Sequence, residues 1–278
     1  MVAPYEADAQ MAYLERIGIV DGIITEDSDL LVFGCRKVLF KLDSVSSTIT
    51  SISRDDFGSV TTADAGISLL GWTDSQFRAM AILSGCDYLP SIPGVGLKTA
   101  WTLLRKHRTV DQLVRALRLE GKKSVPKGYL EAFNLAEKVF LHQRVYCPLS
   151  EKLVCLTGVA AEFVMDAETE AHIGRWRCLP LFPRSADDDN DSILEPSLAK
   201  KLANGDLDPI TLLPIVDINP GFVPRVSKSP PLHFDNLNRP STDKGKGKTK
   251  ADQPTVGLLH FFCEKHVGSL VPICHLPH

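Results

Sequence analysis

Ile82-Leu83-Ser84-Gly85-Cys86-Asp87-Tyr88-Leu89-Pro90-Ser91-Ile92-Pro93-Gly94-Val95-Gly96-Leu97-Lys98-Thr99-Ala100 is the stretch from which the rest of the chain can be read. Its second half, a Gly-apolar-Gly turn that opens a helix, is the signature of a helix-hairpin-helix element. Glycines there let backbone N–H groups approach a DNA phosphate closely, helped by the helix N-terminus. Carbonyls of such a hairpin can also hold a monovalent cation. An ordinary glycine-rich connection between helices would carry GxG alone; Pro-Gly-Val-Gly followed by Lys98 and a helix is far more specific. Asp87 stands in the first half, wedged among small and apolar residues where a surface acid is out of place.

Upstream, Thr73 starts a helix with Gln76 three residues on, as a capping box requires, and Phe77, Met80, Ala81 and Leu83 form its inner face. It ends near Gly85. Further back, Tyr5–Ile17 reads as a helix, with Met11, Leu14 and Ile17 at helical spacing and Gly18 as its stop. Gly22–Thr25 is a short apolar strand ending at Glu26-Asp27-Ser28-Asp29. Leu30–Gly34 reads as a turn or short helix, and Lys37–Leu42 as a strand. Downstream, helices are predicted from Gly94 to about Arg105, over 110–117 and over 129–142. The alternation predicts an α/β fold with a mostly parallel sheet.

Five acids carry the chemistry: Glu6 and Asp8, Asp27 and Asp29, and Asp87. Acids just beyond a strand stand where α/β sheets place their sites. Alternate residues of an extended segment would diverge, but a tight turn can bring Asp27 and Asp29 to one ion. An all-oxygen cluster suits Mg²⁺, with Mn²⁺ as a substitute, and not zinc. Two such ions can promote hydrolysis of a phosphodiester. The bland alternative is a set of surface acids at helix starts and turns. Glu6 or Asp8 taken singly reads that way, and for Asp27 and Asp29 both readings stand.

The net charge of −3 argues against a nucleic-acid binder until its distribution is considered. From Lys98 to Lys127 nine basic residues, Lys106 among them, face two acids, Asp111 and Glu120. Individual members, such as Arg115 and Arg118, also read as a solvated helix face. The seven cysteines are scattered without metal-ligand spacing and read as reduced thiols. There is no membrane-length apolar run and no secretory leader. After about Arg184 the chain turns acidic, then Pro- and Lys-rich (Asp187–Asp191, Pro230-Pro231, Lys244–Lys250), and little fixed structure is expected there.

Together YEADAQMAYL (5–14), ITEDSDLLVFG (24–34) and LSGCDYLPSIPGVGLKTA (83–100) resemble the flap endonuclease/XPG superfamily of structure-specific 5′ nucleases, and in particular its 5′→3′ exonuclease members. With Gly205–Thr211, the resemblance covers about Val2–Thr211. It implies part of a PIN-like nuclease core (the XPG-I region) over 1–83, and a helix-hairpin-helix (H2TH) region over 84–150. A return segment packing on the core over 151–185 and a disordered tail over 186–278 complete that division. It implies that Glu6 and Asp8 help bind one Mg²⁺, and that Asp27, Asp29 and Asp87, the catalytic acids, bind a second. Ser84, Ser91 and Val95 are implied as the place of a K⁺ or Na⁺ ion, with Gly94, Gly96, Lys98 and Lys106 against DNA.

The implied activity is 5′→3′ digestion of duplex DNA and cutting of 5′ flaps, in nuclear mismatch repair and end resection. The implied substrates are duplex DNA with a 5′ end, nick or flap, and mismatch-repair proteins are implied partners. Family members also carry an amino-terminal region with further aspartates and strands. Its absence from this sequence predicts exposed apolar sheet edges, poor solubility and negligible nuclease activity for the chain alone. Thr255–Phe262 resembles a sliding-clamp-binding box through Leu258, Phe261 and Phe262, with Thr255 where glutamine is usual; an apolar scrap of misread sequence is the alternative. Two other readings are a non-catalytic module that grips duplex backbone, and a flap endonuclease or junction-resolvase paralogue.

Overall fold

The computed structural model describes residues 1–43, 45–59, 61–62, 67–158, 169, 173, 194–209, 211–215 and 269–272. Its first helix, α1, spans Ala7–Arg16 with Glu6 at its N-cap. The buried residues of α1 are Ala9, Gln10 and Ala12, and Met11, Leu14 and Ile17 are only partly covered. The face chosen from apolar spacing was thus not the innermost one. A buried glutamine and two alanines replace it because α1 lies close against a neighbouring strand, to which Gln10 bonds.

Strand β1 (Ile23–Ile24) pairs in parallel with β2 (Lys37–Asp43), and α2 (Asp29–Val32) joins them. β2 then pairs antiparallel with β3 (Thr48–Ser53), through a turn in which Asp43 Oδ1 accepts the Val45 amide at 2.8 Å. The expected mostly parallel sheet is therefore corrected. Among the described residues its order is β1-β2-β3-β8, where β8 is Ser269–Pro272, and only β1–β2 is parallel. So short a connection leaves no room for the crossover a parallel β3 would need. Within the described residues β1 has a partner on one side, and Ile24 is 56 % exposed at that edge.

A 3₁₀ turn (Arg54–Ser59) leads through the short hairpin β4 (Thr61–Thr62) and β5 (Ile67–Ser68) to α3 (Asp74–Ser84). Thr73 and Gln76 form the reciprocal capping box. Arg54 ties this corner together. It donates to the Leu31 carbonyl at 2.8 Å, pairs with Asp74 at 2.7 Å and lies over the Phe57 and Phe77 rings. The next helices are α4 (Leu97–Lys106), α5 (Val110–Glu120) and α6 (Tyr129–His142), followed by the hairpin β6 (Arg144–Cys147) and β7 (Lys152–Cys155).

One apolar cluster runs through residue 83 without a break, joining Leu30, Phe40 and Ile52 of the sheet region to Met80, Phe133 and Phe140 of the helices. The four described cysteines, Cys35, Cys86, Cys147 and Cys155, are free thiols. No described helix is long and apolar enough to cross a membrane.

Two described segments fall within the stretch expected to be disordered. α7 (Pro196–Asn204) has proline in its first turn and a left-handed Gly205 at its end, and lays Ala199 and Ala203 against Tyr146. Lys200 pairs with Glu151 at 2.5 Å, and the Val2 amide bonds to the Ala203 carbonyl at 3.0 Å. A helix with an apolar face and a waiting groove folds in spite of polar neighbours. β8 is the second. Asp187–Asp191, Pro230-Pro231, Lys244–Lys250 and the box residues Leu258, Phe261 and Phe262 lie outside the described residues.

Candidate metal centre

Three separate segments deliver the five acids to one end of the sheet. α1 begins with Glu6 at its cap and Asp8 in its first turn. After β1 the chain folds into a tight turn: the Asp27 amide donates to Thr25 Oγ1 at 2.9 Å, and Asp27 Oδ1 accepts the Asp29 amide at 2.8 Å. That turn counters the divergence of alternate residues, and Asp29 opens α2. Asp87 sits in a turn closed by paired backbone bonds between Cys86 and Leu89, at 3.0 and 3.2 Å.

The electrostatics measure the convergence. Asp29 is raised from about 3.8 to about 7, first by burial and then by Asp27, Asp87, Asp8 and Glu6, all negative. Asp8 is raised to about 6, by burial and then by Asp27, Glu6 and Asp87. Glu6 also titrates above its ordinary range because burial and the Asp87 and Asp27 charges outweigh two hydrogen bonds that favour its anion. Like charges so arranged want a cation between them. The donors are all oxygens, which suits a hard divalent ion.

The acids meet within electrostatic reach and stop there. Among the described residues no three His, Cys, Asp or Glu side chains close around a common point that could hold a metal ion. The five carboxylates thus lie near enough to act on one another electrostatically without forming a metal-ligating cluster. Both oxygens of Glu6 accept hydrogen bonds, from Tyr88 Oη and from Gln143 Nε2 (2.7 Å).

The hairpin begins four residues after Asp87. Gly94 takes φ +74°, and the Val95 amide donates to the Ile92 carbonyl at 2.8 Å. Gly85 (φ +104°) lies against Ser91, so the end of α3 and the hairpin touch. Of the residues expected around a monovalent cation, Ser84 turns its hydroxyl to the Ala81 carbonyl of its own helix (2.8 Å), and the Val95 side chain is buried. Lys98 is exposed in the first turn of α4, beside Gly96. Lys106 lies at the far end of α4, about 15 Å from the hairpin at ~1.5 Å per residue, and pairs with Glu120 at 3.3 Å. It does not join the hairpin group.

One member of the Lys98–Lys127 basic stretch joins the hairpin, and two residues absent from the expected site join Glu6. Lys123 reaches back from beyond α5 to donate to the Gly94 carbonyl at 2.7 Å. Tyr88 and Gln143 hold Glu6. Tyr88 adjoins Asp87 and could have been suspected; nothing local marks Gln143, which is 137 positions from its partner.

With this geometry in view, the relatives can be weighed. The XPG I-region model matches residues 1–87. Exonuclease 1 of Oryza sativa subsp. japonica is 36 % identical over 271 residues, 95 % of this chain and 28 % of its own length. Exodeoxyribonuclease 1 of Schizosaccharomyces pombe is 40 % identical over 211 residues, 76 % of this chain and 33 % of its own. The chain therefore spans about a third of these relatives. Flap endonuclease-1 from Methanococcus jannaschii superposes on 50 % of this chain and 37 % of itself, at 25 % identity and a TM-score of 0.36. On the strength of the sequence matches, residues 1–87 carry an XPG I-region and the chain is similar over most of its length to exonuclease 1 proteins.

Proposed function

We propose that this chain forms the carboxylate site and DNA-gripping hairpin of a divalent-metal-dependent 5′→3′ exodeoxyribonuclease that also cuts 5′ flaps, acting in nuclear mismatch repair and end resection. One observation carries the proposal: acids from three segments come close enough that their charges help raise the pKa of Glu6, Asp8 and Asp29, a few residues from a glycine hairpin that opens a helix. Glu6 and Asp8 would hold one ion, and Asp27, Asp29 and Asp87 the other, with Mg²⁺ the natural occupant. When bound, two such ions lower the pKa of an attacking water and stabilise the departing oxygen.

The chain's own residues do the rest. The Asp27–Asp29 turn and the Cys86–Leu89 bridge fix where three of the carboxylates stand. Gly94 and Gly96 let the hairpin backbone approach a phosphate, Lys98 neutralises it, and a K⁺ or Na⁺ ion by Ser84, Ser91 and Val95 would share that charge. Duplex DNA with a 5′ end, nick or flap is the substrate in this reading, and mismatch-repair proteins and a sliding clamp are partners of the whole enzyme. The division at residues 83, 150 and 185 is retained as a description of these working parts.

The test is a Mn²⁺ titration of the purified chain, together with Mg²⁺-dependent digestion of 5′-labelled duplex and flap DNA. Two-site binding abolished by Asp27→Ala and by Asp87→Ala is expected. A chain that retains duplex DNA while both substitutions leave metal binding unchanged would instead be a non-catalytic backbone-binding module.

A further inference from the structure

Gln143 is wholly buried where α6 gives way to β6, and its setting leaves its amide little freedom. Its main-chain N–H donates to the Val139 carbonyl at 3.0 Å, and its carbonyl accepts the Leu156 amide at 2.8 Å. Its side-chain Oε1 accepts the Arg144 amide at 3.0 Å, which leaves Nε2 to donate to Glu6 Oε2 at 2.7 Å. A flipped amide would set oxygen against carboxylate and nitrogen against a backbone donor, so the orientation is determined. On the other side of Glu6, Tyr88 donates its hydroxyl to Oε1. The Tyr88 ring packs edge-on against Phe140, at 4.8 Å between centroids, less than one turn before Gln143 at the C-cap of the same helix.

Each carboxylate oxygen has two lone-pair directions, and these two donors use one apiece. The unused pair on each oxygen is directed by these contacts, since the amide is wholly buried and bonded at both ends and the phenol ring is packed against Phe140. We propose that Gln143, assisted by Tyr88, is a positioning residue that sets the plane of the Glu6 carboxylate for a divalent cation, so that the α6–β6 junction controls metal affinity. This rests on the reading of Glu6 as a metal ligand. Partners that orient a ligand from behind commonly govern affinity by about 10- to 100-fold.

The experiment measures Mn²⁺ affinity of the full chain from the electron paramagnetic resonance signal of free Mn²⁺. Variants are Gln143→Met, which removes the donor at similar volume, and Tyr88→Phe, which keeps the ring against Phe140. Each is expected to bind Mn²⁺ about 10-fold or more weakly, while duplex DNA retention in EDTA stays at the wild-type level. A structural role would not depend on Glu6, so the deciding readout is a double-variant cycle. In a Glu6→Ala background, adding Gln143→Met or Tyr88→Phe should change Mn²⁺ affinity less than twofold.

Affinity within twofold of wild type in both single variants would overturn the proposal. So would an undiminished effect in the Glu6→Ala background, or loss of DNA retention in step with loss of metal. If the wild-type chain binds no Mn²⁺, or Asp87→Ala binds it as well, the functional reading fails first and takes this inference with it.

Discussion

Gln10 and Tyr146 exchange two hydrogen bonds, both 2.8 Å: Gln10 Nε2 donates to the Tyr146 carbonyl, and Gln10 Oε1 accepts the Tyr146 amide. A side-chain amide on α1 thereby completes the backbone bonding of β6 as a neighbouring strand would. Because both backbone groups are buried, removing the amide strands a donor and an acceptor together. Gln10→Leu is expected to destabilise the chain by ~2–6 kcal/mol, at ~1–3 for each stranded group. Urea unfolding of wild type and variant would measure it, and a cost below about 1 kcal/mol would contradict the account.

The acid cluster predicts an unusual pH dependence in the absence of metal. Asp29 titrates near 7 and Asp8 near 6 in the folded chain, against an ordinary value of about 3.8 when unfolded. Between those limits the folded state binds more protons than the unfolded one, so stability is lost as pH rises from about 4 through about 7. In EDTA the melting temperature should be higher at pH 5 than at pH 8, and Asp29→Asn should flatten that slope. Mg²⁺ should restore stability at pH 8 far more than at pH 5. Differential scanning fluorimetry would show it; a wild-type chain that gains stability from pH 5 to 8 in EDTA, in parallel with Asp29→Asn, would be the wrong result.

At the hairpin, a side chain at position 94 would have to accept φ +74° with its Cβ 3.0 Å from Lys123 Nζ. Gly94→Ala should therefore cost ~1–2 kcal/mol of backbone strain and displace the ammonium. Lys123→Met removes the charge while leaving the turn intact. Both should weaken retention of duplex DNA, and Lys123→Met should reduce the slope of log affinity against log salt by about 1. Fluorescence anisotropy at several salt concentrations is the measurement, and an unchanged slope would remove Lys123 from the interface.

The Thr73 box offers a control away from the acids. Thr73→Ala loses the bond from the Gln76 amide, and the Gln76 side chain loses its ordered place on the Thr73 amide. About 1 kcal/mol, or a fall of ~2–4 °C in melting temperature, is expected. Mn²⁺ affinity should not change, which calorimetry on the same samples would establish.

What could be read from the sequence is what short-range chemistry decides. The box at Thr73 and Gln76, the glycine stop at 85, the helix over 129–142 and the turn that folds Asp29 back toward Asp27 all follow from neighbours a few positions apart. β3 was also within reach: Thr48-Ile49-Thr50-Ser51-Ile52-Ser53 is rich in β-branched residues and follows a short polar turn. Counting apolar spacing misjudged α1 because its deepest polar residue, Gln10, is satisfied by a strand 136 positions away. The same holds for Glu6 and Gln143. Partners that distant leave no local pattern in composition or periodicity, and only folding brings them into view.

The short run from Asp87 to Gly94 has a consequence for register. Seven links of chain reach at most about 25 Å when fully extended, and the paired bonds between Cys86 and Leu89 shorten that reach. On the proposed reading, a phosphate clasped at Gly94 lies within that chain length of Asp87. On that reading the molecule carries a built-in ruler, and the interval between the point of grip and the point of scission should stay constant as a duplex is fed through.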